Sequence, residues 1–274
     1  MPDDLQSPQS PPVVLSIAGS DCSAGAGAQA DLKTFSALGC YGLTALTAVV
    51  AEVPGKVECI KLIEAEMVAA QIRTLAGAFP IAAAKTGMLG GRLQIEAVIR
   101  AWEPLASRAV PLVVDPVMVS TSGTRLLDED AMERLVGGLV PLAKLITPNL
   151  AEAAVLLGSS ITNKSEMEAG AKELVRRHGC AVLLKGGHLI GDDASDVLVC
   201  SNEVHWIEGR RIHGVRTHGT GCIYSAAIAA GLAQELSLLE AVRQAKRCIL
   251  AAISGHFRWG AVDALNPVPT HASS

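Results

Sequence analysis

The chain has 274 residues and a formal net charge of −4, with 50% hydrophobic and 18% charged residues. It is long enough to bury a full core, too short for three ordinary domains and too apolar for wholesale disorder. Only 3% of residues are aromatic, which together with the acidic balance argues against a base-stacking or phosphate-backbone surface for nucleic acid.

Strand and helix patterns alternate along the chain. Residues 13–18 are an apolar, β-branched run closed by Gly19, which predicts a buried strand. A helix is predicted over 29–38, stopped by Gly39, and a strand over 43–50. A helix over 65–76, a strand over 81–86 closed by Gly87, and a helix over 93–102 follow. Next come a strand over 112–115 stopped by Pro116, a helix over 129–139, and a strand over 143–147 stopped by Pro148. Helices over 150–157 and 166–177 precede a strand over 181–185 that opens into Gly186-Gly187. Residues 197–200 and 204–207 predict a hairpin around Ser201-Asn202, and 222–233 and 238–254 predict helices. This alternation predicts an α/β protein with a mostly parallel sheet covered by helices on both faces. A single domain over 13–266 is expected, with a loose N-terminus (1–12) and C-terminal tail (267–274).

Seven cysteines, at 22, 40, 59, 180, 200, 222 and 248, include no CxxC pair. Neither a disulfide framework nor a zinc knuckle is indicated, and a reduced, cytoplasmic setting is expected. The polar N-terminus lacks the basic and apolar regions of a secretory signal. No apolar run reaches the ~18 residues needed to span a membrane.

In parallel sheets, ligands bind outside the carboxyl ends of the strands. Gly19-Ser20-Asp21, Lys85-Thr86-Gly87-Met88, Asp115-Pro116, Thr147-Pro148-Asn149, Lys185-Gly186-Gly187-His188 and Thr217-His218-Gly219-Thr220-Gly221-Cys222 all fall there. The last motif leads straight into a helix. Its Gly219, Thr220 and Gly221 can present backbone N–H groups to an anion, with Thr217 beside them; the plain alternative is a Gly-rich turn with a capping Thr. Cys222 would lie in the first helical turn, where a thiol's pKa falls, so it is either a base or polar contact, or a small buried filler. Lys185 can reach a phosphate as a point charge, or merely snorkel. Asn149 and Glu152 have the spacing of a capping box, which that spacing alone favours over a Mg²⁺ site. Asp115 is a second metal candidate. Residues 25–30, Gly-Ala-Gly-Ala-Gln-Ala, match a loose dinucleotide fingerprint, but the preceding strand is expected to end too early for it.

Taken together, Gly19-Ser20-Asp21 with the run from Gly25 to Gly39, Lys85 to Leu89, Asp115 to Val119, Ile146 to Ala153, Leu184 to His188 and the motif ending at Cys222 strongly resemble the hydroxymethylpyrimidine phosphate kinases of thiamine biosynthesis. The motifs stand in family order over about residues 13–253. The resemblance implies a ribokinase-like, three-layer α/β/α sandwich, ATP and Mg²⁺, a small aminopyrimidine substrate and a homodimer, with no thiamine-phosphate synthase domain attached. It implies that Gly19, Ala26, Val50, Met88, Val117 and Cys222 line the pyrimidine pocket, with Asp21 in the same loop. It further implies that Lys185, Asn149 and Glu152 serve nucleotide phosphate and magnesium, that Asp115 lies near the transferred phosphoryl group, and that Gly219, Thr220 and Gly221 form the anion hole. Cys22 and Ala24 depart from the family's first loop. Glu52 stands where the family typically has a Gln that reads the pyrimidine ring. The expected activity is phosphorylation of the hydroxymethylpyrimidine monophosphate, with the free alcohol, a vitamin-B6 kinase and an inactive pyrimidine-binding protein as alternatives.

Overall fold

The computed structural model describes residues 10–118, 127–187, 189 and 191–268. Most of the two expected loose ends, and Val119 and His188 of the motifs, lie outside the described residues. The strands are β1 (Val13–Asp21), β2 (Tyr41–Val53), β3 (Lys56–Leu62), β4 (Ile81–Thr86), β5 (Leu112–Val114), β6 (Leu145–Ile146), β7 (Ala181–Leu184), β8 (Asp196–Cys200) and β9 (Glu203–Ile207). They form one sheet in the order β3-β2-β1-β4-β5-β6-β7-β8-β9. The run from β2 to β7 is parallel, while β3, β8 and β9 pair antiparallel at the edges.

Successive strand residues point to opposite faces, and both faces are apolar. Leu15, Ile17, Val182, Leu184, Val197 and Val199 pack on one side. There they meet α2 (Ala65–Ala78), α3 (Arg92–Ala106), α4 (Glu129–Arg134), α5 (Leu150–Leu157) and α6 (Lys164–His178). Val14, Leu183 and Leu198 pack on the other, against α1 (Gly27–Ala37), α7 (Thr220–Ala233) and α8 (Leu238–Ser254). Helix α7 is apolar nearly all round because it is buried nearly all round, between sheet and neighbouring helices. The three expected layers are present.

Several boundaries differ from the sequence reading. Strand β1 does not stop at residue 18. A bulge between Ala18 and Ser20 lets the chain stay paired to β2 as far as Asp21. The predicted helix 129–139 is α-helical only to Arg134, then continues as a π turn (Leu135–Leu139) and a 3₁₀ turn (Val140–Leu142). The Gly137-Gly138 pair and Pro141 weaken regular helix there. Strand β3 and a small C-terminal hairpin, β10 (Phe257–Trp259) with β11 (Val262–Ala264), carry no counterpart in the prediction.

The topology creates the site. From β1 the chain moves to β2 on one side and reaches β4 on the other. The crevice at this switch point, beyond the carboxyl ends of the strands, is where such sheets bind ligands.

Candidate active site

A cavity of about 770 Å³ runs along the carboxyl edge of the sheet. Every site residue predicted from the sequence lines it. Gly19, Asp21, Ala26, Val50, Glu52, Met88 and Val117 do so, together with Val57 and Ile60 of β3. So do Asp115, Asn149, Glu152, Lys185, Thr217, Gly219, Thr220, Gly221 and Cys222. Lys85 of the Lys85-Thr86-Gly87-Met88 motif does not. It is fully buried and pairs with Asp31 at 3.1 Å beneath the sheet edge.

At the β1–β2 end, Asp21 organises the loop that follows it. Its carboxylate accepts the Ser23 N–H at 2.7 Å, the Ser23 hydroxyl at 3.0 Å and the Ala26 N–H at 2.8 Å. The His218 ring nitrogen Nε2 lies 3.3 Å from the same carboxylate. Burial works against ionisation, but these bonds, His218 foremost, hold the acid down at about 2. Glu52 lies within 4.8 Å of both Asp21 and His218, counting between ligating atoms. Burial and the Asp21 charge push its carboxyl above the ordinary range, with His218 opposing.

At the β5–β7 end the charges are tightly paired. Lys185 Nζ donates to Asp115 Oδ1 at 3.0 Å, and Thr147 Oγ1 donates to the same oxygen at 3.1 Å. Ser225 Oγ donates to Asp115 Oδ2 at 3.3 Å. Burial opposes both charges, yet each stabilises the other: the ammonium is held above its usual range and the Asp115 carboxyl below its own.

The first turn of α7 reaches this pair. Its N-cap is Gly219, at φ +83°, a left-handed conformation that favours glycine. A Cβ at Gly221 would sit 3.3 Å from Asp115 Oδ2 and 3.4 Å from Lys185 Nζ. Thr220 does not cap the helix. Its hydroxyl turns back to the Thr217 carbonyl at 3.1 Å, and among the described residues no side chain caps α7. The helix thus presents an uncapped N-terminus beside a lysine, an arrangement suited to an anion.

Two expectations need correction or refinement. Cys222 is the third residue of α7, but its thiol is not acidified: burial pushes it up to about 11, with Lys85 pulling the other way only in part. Desolvation of a thiolate outweighs the helix terminus. Asn149 and Glu152 do form a capping box. Asn149 Oδ1 accepts the Glu152 N–H at 3.0 Å, and Glu152 Oε2 accepts the Asn149 N–H at 2.9 Å. Burial raises the Glu152 carboxyl to about 7, against the pull of Lys185 and with the Asp115 charge adding to it. Asp115 and Glu152 share the Lys185 ammonium, with Lys85 also acting on Asp115, and the raised Glu152 carboxyl reflects burial and the crowding of negative charge there. Hard oxygens with excess negative charge fit Mg²⁺, and since Asp115 and Glu152 are already hydrogen-bonded, they fit it best through its waters.

The cavity wall also holds Asp196, Arg210, Arg211, Tyr224 and Lys246, which sequence reasoning left without roles. A signal existed for two of them. Asp196 opens a strand that is otherwise Val-Leu-Val-Cys, and Lys246 lies at helical spacing between the apolar Val242 and Ile249.

Comparison with known proteins agrees with this geometry. Residues 21–268 match the sequence model of a family described as phosphomethylpyrimidine kinase. A hydroxymethylpyrimidine/phosphomethylpyrimidine kinase of Rhizobium meliloti (strain 1021) is 46% identical over 88% of this chain and 90% of its own length. The crystal structure of phosphomethylpyrimidine kinase from Clostridium difficile 630 superposes with a TM-score of 0.77 at 38% identity, over 88% of this chain and 99% of that one. An ADP complex of Bacillus subtilis pyridoxal kinase superposes with a TM-score of 0.87 at 35% identity, over 95% of this chain and 98% of that one. The strand-end cavity, the uncapped glycine-rich helix start with its lysine, and a match spanning nearly the whole chain lead to one conclusion: this chain belongs to the phosphomethylpyrimidine kinase family.

Proposed function

We propose that the chain transfers the γ-phosphoryl group of ATP to 4-amino-5-hydroxymethyl-2-methylpyrimidine monophosphate, giving the diphosphate and ADP. A monophosphate oxygen forms the new P–O bond, and the bond to the β-phosphate bridging oxygen breaks. Phosphoryl transfer is mainly positioning and charge stabilisation. The N–H groups of Gly219, Thr220 and Gly221 and the Lys185 ammonium would share the charge of the transferred group. Asp115 and Glu152 would hold Mg²⁺ through water, and the ion would supply further neutralisation of the phosphates. Asn149 and Thr217, which line the cavity beside them, would face the nucleotide phosphates. Gly19, Asp21, Ala26, Val50, Glu52, Met88, Val117 and Cys222 would enclose the pyrimidine. The ADP complex of the pyridoxal kinase supports an adenine nucleotide as donor.

The observation that carries the choice of acceptor is the match of residues 21–268 to the phosphomethylpyrimidine kinase family; the Cys222 thiol, half-buried on the cavity wall and pushed up to about 11 by desolvation, is in keeping with it. An alcohol must lose a proton during transfer, so it gains from a base. A neutral thiol is a poor one. A phosphate monoester, with its second pKa near ~6, already offers an anionic oxygen. Glu52 acts in the same direction. An ionised carboxylate can only accept, so a ring edge read by Glu52 needs one extra proton, on the carboxyl or on the ring. The raised Glu52 carboxyl eases that requirement for either acceptor and so limits the selectivity, whereas the charge of the monophosphate favours a protonated ring for that acceptor alone. Glu52→Gln should therefore raise kcat/KM for the alcohol relative to the monophosphate. An unchanged ratio across pH 6–9 would remove Glu52 from the selectivity.

The vitamin-B6 kinase reading rests on the superposition and 35% identity with the pyridoxal kinase; offering pyridoxal beside the two pyrimidines decides it. A homodimer is supported by the apolar residues that β2 and β3 leave exposed outside the cavity, Val49, Val53 and Leu62. A reducing, cytoplasmic setting is supported by seven unpaired thiols. Among the described residues, no helix is long and apolar enough to cross a membrane.

A further inference from the structure

Asp196, at the start of β8, is 2% exposed, and its carboxylate joins three separate elements. Oδ1 accepts the Gly186 N–H at 2.9 Å. Oδ2 accepts the Tyr224 hydroxyl of α7 at 2.9 Å and the Lys246 ammonium of α8 at 2.7 Å. Lys246 also donates to the Ala194 carbonyl at 2.6 Å, so the cation is held from two sides. Gly186 directly follows Lys185, and Tyr224 lies one turn after the N-terminal residues of α7. The carboxylate therefore ties the backbone that carries the phosphate lysine to the helix that carries the anion-binding N–H groups. Those two parts already meet at the cavity, where a Cβ at Gly221 would lie 3.4 Å from Lys185 Nζ.

We infer that Asp196 is a positioning residue for phosphoryl transfer. It sets the Lys185-Gly186-Gly187 turn in register with the start of α7, so that ammonium and N–H groups converge on one phosphoryl group. Lys246 Nζ, 2.7 Å from Oδ2, places a cation beside this buried carboxylate. The inference rests on the proposed role of Lys185. Asp115 holds the Lys185 head group at 3.0 Å, but the stem between is flexible, so the backbone origin also has to be fixed. Tying that origin to α7 through one buried acceptor restricts the reach of Nζ. Misplacement by about 1 Å at a transfer site can cost about 10²-fold in rate.

A purely structural clamp and a positioning residue differ in what they move. The test compares Asp196→Asn and Asp196→Ala, each combined with Lys246→Met so that no unpaired ammonium remains. The asparagine of the first double variant keeps an acceptor for the Gly186 N–H, and the alanine of the second does not. Turnover with ATP and the pyrimidine monophosphate is measured well below the Tm of each protein. D196A/K246M should lose about 30-fold or more in kcat, with KM for the pyrimidine within about twofold of wild type. D196N/K246M should stay within about fivefold of wild type. Equal kcat in the two double variants, or losses that follow Tm alone, would overturn the inference. Tyr224→Phe guards against a double variant that fails to fold, since it removes only the α7 arm. It should lower kcat about threefold to tenfold without raising the pyrimidine KM, and an unchanged kcat counts against the inference. Lys185→Ala is assayed alongside. If it turns over like wild type, the reading of Lys185 falls and the inference with it. If it is slow while the double variants are alike, only the positioning by Asp196 falls.

Discussion

Two lysine–aspartate pairs sit at the carboxyl edge of the parallel sheet, one lysine at the end of β4 and the other just after β7, and each lysine is followed within two residues by glycine. Lys85 and Asp31 are both 0% exposed, and Ser16 completes the pair by donating to Asp31 at 2.5 Å. Lys185 is 15% exposed, Asp115 is 3% exposed, and both open on the cavity. The local sequences, Lys-Thr-Gly and Lys-Gly-Gly, look alike. The difference lies in what each ammonium can meet. Lys85 is enclosed by its partner, so its charge serves the interior. Lys185 keeps a free approach, so its charge can serve a ligand. A buried ion pair contributes little net stability, but removing one partner leaves an uncompensated charge.

The largest effects should separate the two pairs. Lys85→Met should cost about 3–5 kcal/mol of stability by stranding Asp31, read as a drop in the urea midpoint, and Lys85→Met with Asp31→Asn should recover most of it. Lys185→Ala should cost on the order of 10²–10³-fold in kcat, with a smaller stability loss and pyrimidine binding retained by calorimetry. If the two single variants exchanged these phenotypes, the assignment of structural and functional lysine would be reversed. Gly221→Val comes next. Its branched side chain would intrude between Asp115 and Lys185, so turnover should fall by about 10²-fold with a modest change in Tm. Wild-type turnover in a folded Gly221→Val protein would remove the helix start from the anion site.

How much of this was legible beforehand depends on the kind of signal. Strand ends rich in glycine and polar residues are local and marked the phosphate end of the cavity, whereas Ala26, Val50, Glu52 and Val117 came from the family resemblance. The alternation of buried strands and helices was local too, so the layers followed. Strand β3 was missed because it is mostly exposed and shows no apolar run, although Pro54-Gly55 marked its turn. The extension of β1 to Asp21 depends on a bulge against β2, which only the partner strand reveals. Asp196 and Lys246 find each other 50 residues apart, and no local pattern predicts such a pair. Cys222 teaches the same lesson about depth. The helix-terminus rule was applied at nearly the right place, but the extent of burial decided the sign of the shift.

Smaller effects test the pyrimidine end. Alkylation of Cys222 across pH, followed by peptide mass spectrometry, should show a thiol titrating near 11. Cys222→Ala should leave monophosphate turnover within about tenfold of wild type, below the range of about 10²–10⁴ typical of a lost general base. Titration of Cys222 near 7 would restore it as a base. The weakest effect concerns Asp21. Its folded value of about 2 lies below the ordinary 3.8, so the unfolded state binds more protons in that window. The stability that Asp21 contributes is fully present above about pH 4 and is lost as pH falls toward 2. Asp21→Asn should flatten the dependence of the urea midpoint on pH in that interval. A variant with the same slope as wild type would show that the Asp21 bonds are not retained in solution.

The most direct measurement is product analysis by ³¹P NMR, with ATP and Mg²⁺ and the pyrimidine alcohol, its monophosphate and pyridoxal offered side by side. The expected result is a new diphosphate resonance from the monophosphate, with slower formation of monophosphate from the alcohol and less still from pyridoxal. Phosphorylation of pyridoxal or of the alcohol alone, with the monophosphate left unchanged, would contradict it.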